Sequence, residues 1–197
     1  MMEFDSEGRL IPLKNPNKKE FSKEELMSWK KKYNEEEDKY TQGVEEKLGE
    51  KFREKKIMSK EDLIEIMKWK FQGRLLGRQK RMLNLLEDCS NEMIERFSKE
   101  SFKSDNDEIR INFLSNIPSI KNSLSTVILS FYEPQNYGIL DIHSWRKLFG
   151  KEPKDIFSNQ KRVIDFLKEL RKISSDTGLS CREVEKALFK KNLDENR

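Results

Sequence analysis

Cysteine and histidine are nearly missing from this chain of 197 residues. Cys89 and Cys181 are too few for a tetracysteine zinc or iron–sulfur site, and His143 is the only histidine. The sequence therefore argues against a metal centre, implies no cofactor, and speaks against histidine-based acyl transfer beyond a local role for His143. No apolar run approaches the roughly 18 to 20 residues that a membrane span requires. The first residues, Met1-Met2-Glu3-Phe4-Asp5, lack the basic start and apolar middle of a signal peptide. A soluble, cytoplasmic protein with no membrane partner is the expectation. Strand signals are almost absent too, and no repeat recurs at a fixed period. What remains is helix, and we expect an all-α fold of eight to ten helices.

Charge is what the chain has in abundance: 39% of residues are charged, yet the signs nearly cancel at +4. With 35% hydrophobic residues the chain can bury one respectable core. We divide it into an N-terminal tail (1–19), with Leu10, Ile11 and Leu13 as its apolar cluster, a charged helical region (20–57) and a helical domain (58–197). Between Lys18 and Asp62, 26 of 45 residues are charged, 13 of each sign, over the sparse stripe Leu26, Trp29, Tyr33, Tyr40, Val44, Leu48 and Phe52. That pattern predicts amphipathic helices broken near Gly43 or Gly49. It reads either as a surface for a protein partner or as solvated helices packed through one narrow face.

One window is different. From Lys68 to Arg81 there are six basic residues, Lys68, Lys70, Arg74, Arg78, Lys80 and Arg81, and no acidic one, with Trp69 and Phe71 interleaved. As a binding element it would neutralise phosphates while its rings stack on bases. As a purely structural one it is a polar loop and helix with inward aromatics.

Further along, Ser59 and Asp62 resemble a capping pair. Helices are predicted at Leu75 to Glu87, Ser90 to Phe102 and Asp105 to Ser115, the last opened by Asp105 with Glu108. Leu83, Leu86, Met93, Ile94, Phe97, Ile109 and Phe113 would fill the core. Ser158 would cap a long helix, and Ser180 with Glu183 a last one. The organising stretch is Phe113 to Gly150. Residues 117–123 form a turn, and Leu124, Val127, Ile128 and Phe131 share one helical face. Glu133 to Gly138 breaks that helix, Ile139-Leu140 runs extended, and Asp141 stands at the N-cap of a helix from Ile142 to Phe149.

Ile117-Pro118-Ser119-Ile120-Lys121, then Ser123 to Leu129, then Ile139-Leu140-Asp141-Ile142-His143 with Arg146, resembles the helix-hairpin-helix DNA glycosylase superfamily, which includes endonuclease III and the adenine-mismatch glycosylases. There a leucine-proline-glycine-x-glycine hairpin precedes the core helix, and an aspartate follows a catalytic-lysine position by 18 residues. Ser123 holds that lysine position here and Asp141 comes 18 later. The likeness covers roughly Asp105 to Gly150. A looser one, through Met58 to Leu63 and Met67 to Lys70, points to uncharacterised relatives of the superfamily. The departures are Ser119 and Lys121 in the two glycine positions. In the superfamily the glycines let backbone N–H groups meet a DNA phosphate at a helix N-terminus. A Cβ disfavours positive φ and fills that space. The hairpin is then either a structural remnant or one in which Lys121 supplies charge instead.

The resemblance implies double-stranded DNA as partner, gripped by Ser119, Lys121, Asn122 and the basic window. It implies hydrolysis of the N-glycosidic bond of a damaged or mismatched base. Breaking that bond builds positive charge on the sugar, which a fixed carboxylate stabilises, and Asp141 would be that group. With serine at position 123, no amine is expected there for a Schiff base, so no strand-cleaving lyase step is expected. The base would be flipped into a pocket, for which Trp69, Tyr137, His143 and Trp145 are the aromatic candidates. Arg146 would reach a phosphate or pair with a carboxylate. The alternative is a fold relative without catalysis, a helical module for DNA or protein, in which Asp141 only caps its helix.

Overall fold

A computed structural model describes residues 2–4, 10–12, 21–37, 39–71 and 76–196. The described chain is all-α in character, with one exception in the tail. Strands β1 (Met2–Phe4) and β2 (Leu10–Pro12) pair antiparallel, Met2 opposite Pro12 and Phe4 opposite Leu10. Pro12 is tolerated because an edge position needs no N–H donor.

Ten helices follow. α1 (Lys23–Glu36) starts at Ser22, whose hydroxyl accepts from Glu25 N–H at 3.1 Å. α2 (Lys39–Lys55) runs through both Gly43 and Gly49, so the predicted break is at neither glycine; α1 ends at Glu36 and α2 begins at Lys39. Gly49 answers a packing need instead: a Cβ there would lie 2.7 Å from the Phe131 carbonyl. Only glycine permits this approach, which Arg53 completes by donating to the same carbonyl at 2.9 Å.

α3 (Lys60–Phe71) opens on the expected pair: Ser59 N–H donates to Asp62 Oδ2 at 2.9 Å, and Asp62 N–H donates to Ser59 Oγ at 3.3 Å. α4 (Leu76–Glu87) and α5 (Asn91–Lys103) come next. α6 (Asp107–Ser115) is capped by Asn106 rather than Asp105, and it buries Arg110, Ile111 and Leu114. Ile109 is therefore exposed, against the sequence expectation, because the inward stripe follows positions 111 and 114. α7 (Asn122–Tyr132) is buried on almost every side and forms the hub of the molecule. α8 (Ile142–Phe149), α9 (Gln160–Thr177) and α10 (Cys181–Glu195) complete the chain. Asn159, not Ser158, caps α9, while Ser180 and Glu183 form the predicted capping box.

α1 packs on α10, α2 on α7, and Leu26, Val44, Leu48 and Phe52 enter the same core as Val127, Phe131, Phe166 and Leu188. The narrow apolar stripe of the charged region thus packs on α10 through α1 and on α7 through α2, while Tyr40 stays exposed. Beneath it lies a buried ionic network. Arg182 holds Glu45 through two hydrogen bonds of 2.8 and 2.9 Å and also meets Glu185, and Lys186 bridges Glu37 and Glu45. Burial by itself would raise the Glu45 carboxyl; the Arg182 guanidinium, helped by Lys186, overrides this and holds it down at about 2.

Candidate nucleic-acid interface

The local sequence explains how the Asp141 loop is held. Ser123 and Thr126 are one turn apart on α7, so their hydroxyls face the same way. Thr126 Oγ1 accepts from Leu140 N–H at 3.0 Å, and Ser123 Oγ donates to Leu140 C=O at 3.0 Å. Both backbone groups of a fully buried residue are thereby satisfied by one helix face, where leaving either bare would cost about 1–3 kcal/mol. Asp141 is the next residue. Its Oδ1 accepts from His143 N–H at 2.8 Å and caps α8, as expected.

Basic residues gather around the same helix start. Lys70, at the end of α3, donates from Nζ to Ser123 Oγ at 3.0 Å. The hydroxyl at position 123 is therefore held between the end of α3 and the loop before Asp141. α4 joins from the other side, with Ser119 Oγ donating to Met82 C=O at 2.8 Å. Lys68, Lys80, Arg81 and Lys121 are exposed, and none pairs with a carboxylate among the described residues. Arg74 lies outside the described residues, and so does the side chain of Arg78.

The turn before α7 holds one residue in a left-handed conformation. Ser119 adopts φ +75°, the left-handed conformation that a glycine would take freely. Lys121, in the second glycine position, has φ −124° and stands as the N-cap of α7 without a side-chain cap bond. Asn122 is buried at the first helical position.

The four aromatic pocket candidates do not line a common pocket. Trp69 is core: its Nε1 donates to Thr41 C=O at 3.0 Å and its ring meets Phe131 edge-on at 4.9 Å. Tyr137 is buried and donates to Asp107 Oδ1 at 2.5 Å, with Arg171 binding the same carboxylate, so it staples the loop to α6 and α9. Burial and the Asp107 carboxylate push the Tyr137 phenol up. Trp145 is buried against Phe149, and its Nε1 has no hydrogen-bond partner among the described residues. His143 joins α8 to α10 through Nδ1 and Asn192 Oδ1 at 3.0 Å. These rings sit inward because apolar area drives burial more strongly than any pattern visible in sequence. Arg146 takes the pairing role, holding Glu152 through two bonds of 2.6 Å.

Two concavities lie elsewhere. One of about 330 Å³ is lined by Glu37, Glu45, Arg53, Phe131 and Lys186, and a broader one of about 750 Å³ runs along Met27, Lys30 and Gln42. Asp141 lines neither. Among the described residues no cluster of three or more His, Cys, Asp or Glu converges to hold a metal ion. No described helix is long and apolar enough to cross a membrane.

No family model, no curated protein and no solved structure matches this chain. Its function has to be argued from the residues themselves. Sequence reasoning missed two contacts: that of Thr126 with Leu140, foreshadowed only by the i, i+3 spacing of Thr126 from Ser123, and that of Lys70 with Ser123. Nothing local in the sequence announces the second, because Lys70 and Ser123 lie on different helices.

Proposed function

We propose that this protein is a DNA-binding protein of base-excision type, related to the helix-hairpin-helix glycosylases, with Asp141 as the carboxylate that stabilises a sugar cation during hydrolysis of an N-glycosidic bond. The observation that carries the reading is the chain of contacts from Lys70 Nζ to Ser123 Oγ to Leu140 C=O, which joins the basic window, the hairpin helix and the Asp141 loop.

Electrostatics supports a polyanionic partner. The start of α7 carries the positive end of its helix dipole, with no side chain capping it. Lys70 and Lys121 add two cations there, and Lys68, Lys80 and Arg81 extend the charge outward. A cation at a helix N-terminus disfavours folding by about 0.3–1 kcal/mol, and Lys121 stands there exposed, with no carboxylate paired to it among the described residues. A phosphate at the same place would be favoured by dipole, amides and ammonium groups together.

A second reading, a helical binding module without catalysis, is favoured by one observation: Asp141 is committed to capping α8, away from both concavities. The two readings separate cleanly. Asparagine caps a helix as well as aspartate does, so Asp141→Asn preserves the fold while removing the charge. Wild type and Asp141→Asn are incubated with a panel of lesion-bearing duplexes, then treated with alkali to reveal abasic sites. Base release by wild type and none by the variant supports catalysis at Asp141. Equal release excludes that role, and duplex binding without release from any member leaves the module.

A further inference from the structure

We propose that the cavity of about 330 Å³ between α1, α2, α7 and α10 binds a small zwitterion whose amino and carboxylate groups are several carbons apart. Asp141 does not line this cavity, and binding there does not depend on the DNA reading above.

The charged side chains that line the cavity are Glu37, Glu45, Glu46, Arg53 and Lys186. Glu37, Glu45 and Lys186 are already engaged with one another. Lys186 Nζ lies 3.3 Å from Glu37 and 3.2 Å from Glu45, and Glu45 accepts two further bonds from Arg182. Arg53 and Glu46 differ: among the described residues neither has an ion-pair partner. Gly49 makes room for the Arg53 head group, since a Cβ there would lie 3.0 Å from Nη1 and 3.4 Å from Nη2. Nη1 donates to the Phe131 carbonyl at 2.9 Å, and Nη2 and Nε remain to grip a carboxylate side by side. At the other end, Gln42 and Glu46 lie one turn apart on α2 and share a face. Gln42 Nε2 donates to the Asn34 and Glu37 carbonyls at 3.0 and 3.3 Å, which leaves Oε1 to accept. Oε1 and the Glu46 carboxylate together suit an ammonium group.

One ligand class satisfies both ends. A simple anion would leave Glu46 unpaired, and a simple cation would leave Arg53 so. Glu46 and Arg53 stand two helical turns apart on α2, roughly 10 Å along its axis, so the charges of the ligand must be separated as well. An α-amino acid carries both charges on one carbon. Pro134 offers an apolar wall for the methylenes between them. The lining is mostly polar where a site for an apolar ligand would be mostly hydrophobic, which fits a small, strongly hydrated molecule.

The test is calorimetric titration of the full chain with ε-aminocaproate, with its isomer norleucine, whose charges share one carbon, and with caproate and hexylamine, which carry one charge each. We expect saturable binding of ε-aminocaproate, with each of the others weaker by about tenfold or more. Glu46→Gln and Arg53→Gln should each weaken ε-aminocaproate by about ten- to a hundredfold, because each removes a charge-assisted contact. Glu50→Gln, an exposed change on α2 outside the cavity, should leave the affinity as it is. Thermal melting shows whether Arg53→Gln folds, and Glu46 is exposed, so Glu46→Gln tests the site whatever the arginine variant does. No saturable binding of ε-aminocaproate, equal binding of any of the other probes, or an affinity unchanged in Glu46→Gln overturns the proposal. Duplex binding, measured separately by anisotropy, is untouched by any of these results.

Discussion

Lys70 and Ser123, 53 positions apart in the chain, meet through a hydrogen bond of 3.0 Å between ammonium and hydroxyl. Through this contact the end of α3 is tied to the start of the most buried helix in the molecule, and the face around it is the one proposed to meet DNA.

If that face grips DNA, affinity must be salt-dependent and insensitive to sequence. Each phosphate contact removed should lower the slope of log K against log salt by about 0.9. Replacing Lys68, Lys80 and Arg81 together with glutamine should weaken duplex binding across all sequences and flatten that slope by roughly two to three. Fluorescence anisotropy over a salt series measures both. Unchanged affinity in the triple variant would remove DNA from this face.

The Leu140 clamp predicts a stability effect near the site. Thr126→Val keeps the shape and removes the acceptor for a buried N–H. We expect a loss of about 1–3 kcal/mol in urea unfolding. Catalysis, where it depends on the placement of Asp141, should fall further than stability. A variant as stable as wild type would mean that the hydroxyl is dispensable.

Two glycines on α2 should respond in opposite ways. Gly43 has nothing within 4 Å of a new Cβ, so Gly43→Ala should gain about 0.5–1 kcal/mol from helix propensity. Gly49→Ala would press on the Phe131 carbonyl at 2.7 Å and should lose about 1–3 kcal/mol despite the same propensity gain. Melting temperatures moving in the same direction would contradict the packing of α2 on α7.

Acid unfolding should show the Glu45–Arg182 pair. The Glu45 carboxyl is held at about 2 against an ordinary 4.5, so its contribution is complete above about 4.5 and is lost as pH falls toward 2. Glu185 works in the opposite sense, since burial raises it, with the nearby Asp141 charge adding to the effect, and its ionised form costs stability at neutral pH. Glu45→Gln should lower stability at pH 7 and flatten the acid limb between 4.5 and 2. Urea midpoints measured across this range test it, and matching acid limbs in the two proteins would refute the assignment.

Much of the helical plan was legible in the sequence, for reasons that are local. Ser59, Ser90, Asp141 and Ser180 cap the helices that follow them because a short side-chain oxygen meets a backbone N–H within three residues. The misreadings were local competitions as well: Asn106 and Asn159 took caps assigned to Asp105 and Ser158, each a neighbouring polar residue of equal capping ability. Gly43 and Gly49 misled because glycine signals both breaks and close approach, and only the partner surface tells which applies.

By itself, the sequence determined the helical character of the chain, several of the helix starts, the cationic window and the position of Asp141 at a helix N-cap, all set by residues a few positions apart. Tertiary structure alone decided that Trp69, Tyr137 and Trp145 lie in the interior, that Lys70 reaches Ser123 from a separate helix, and that Ser123 and Thr126 hold the loop before Asp141. Those outcomes depend on side chains from separate helices packing into one core, and neither charge nor periodicity along a single segment encodes which helices become neighbours.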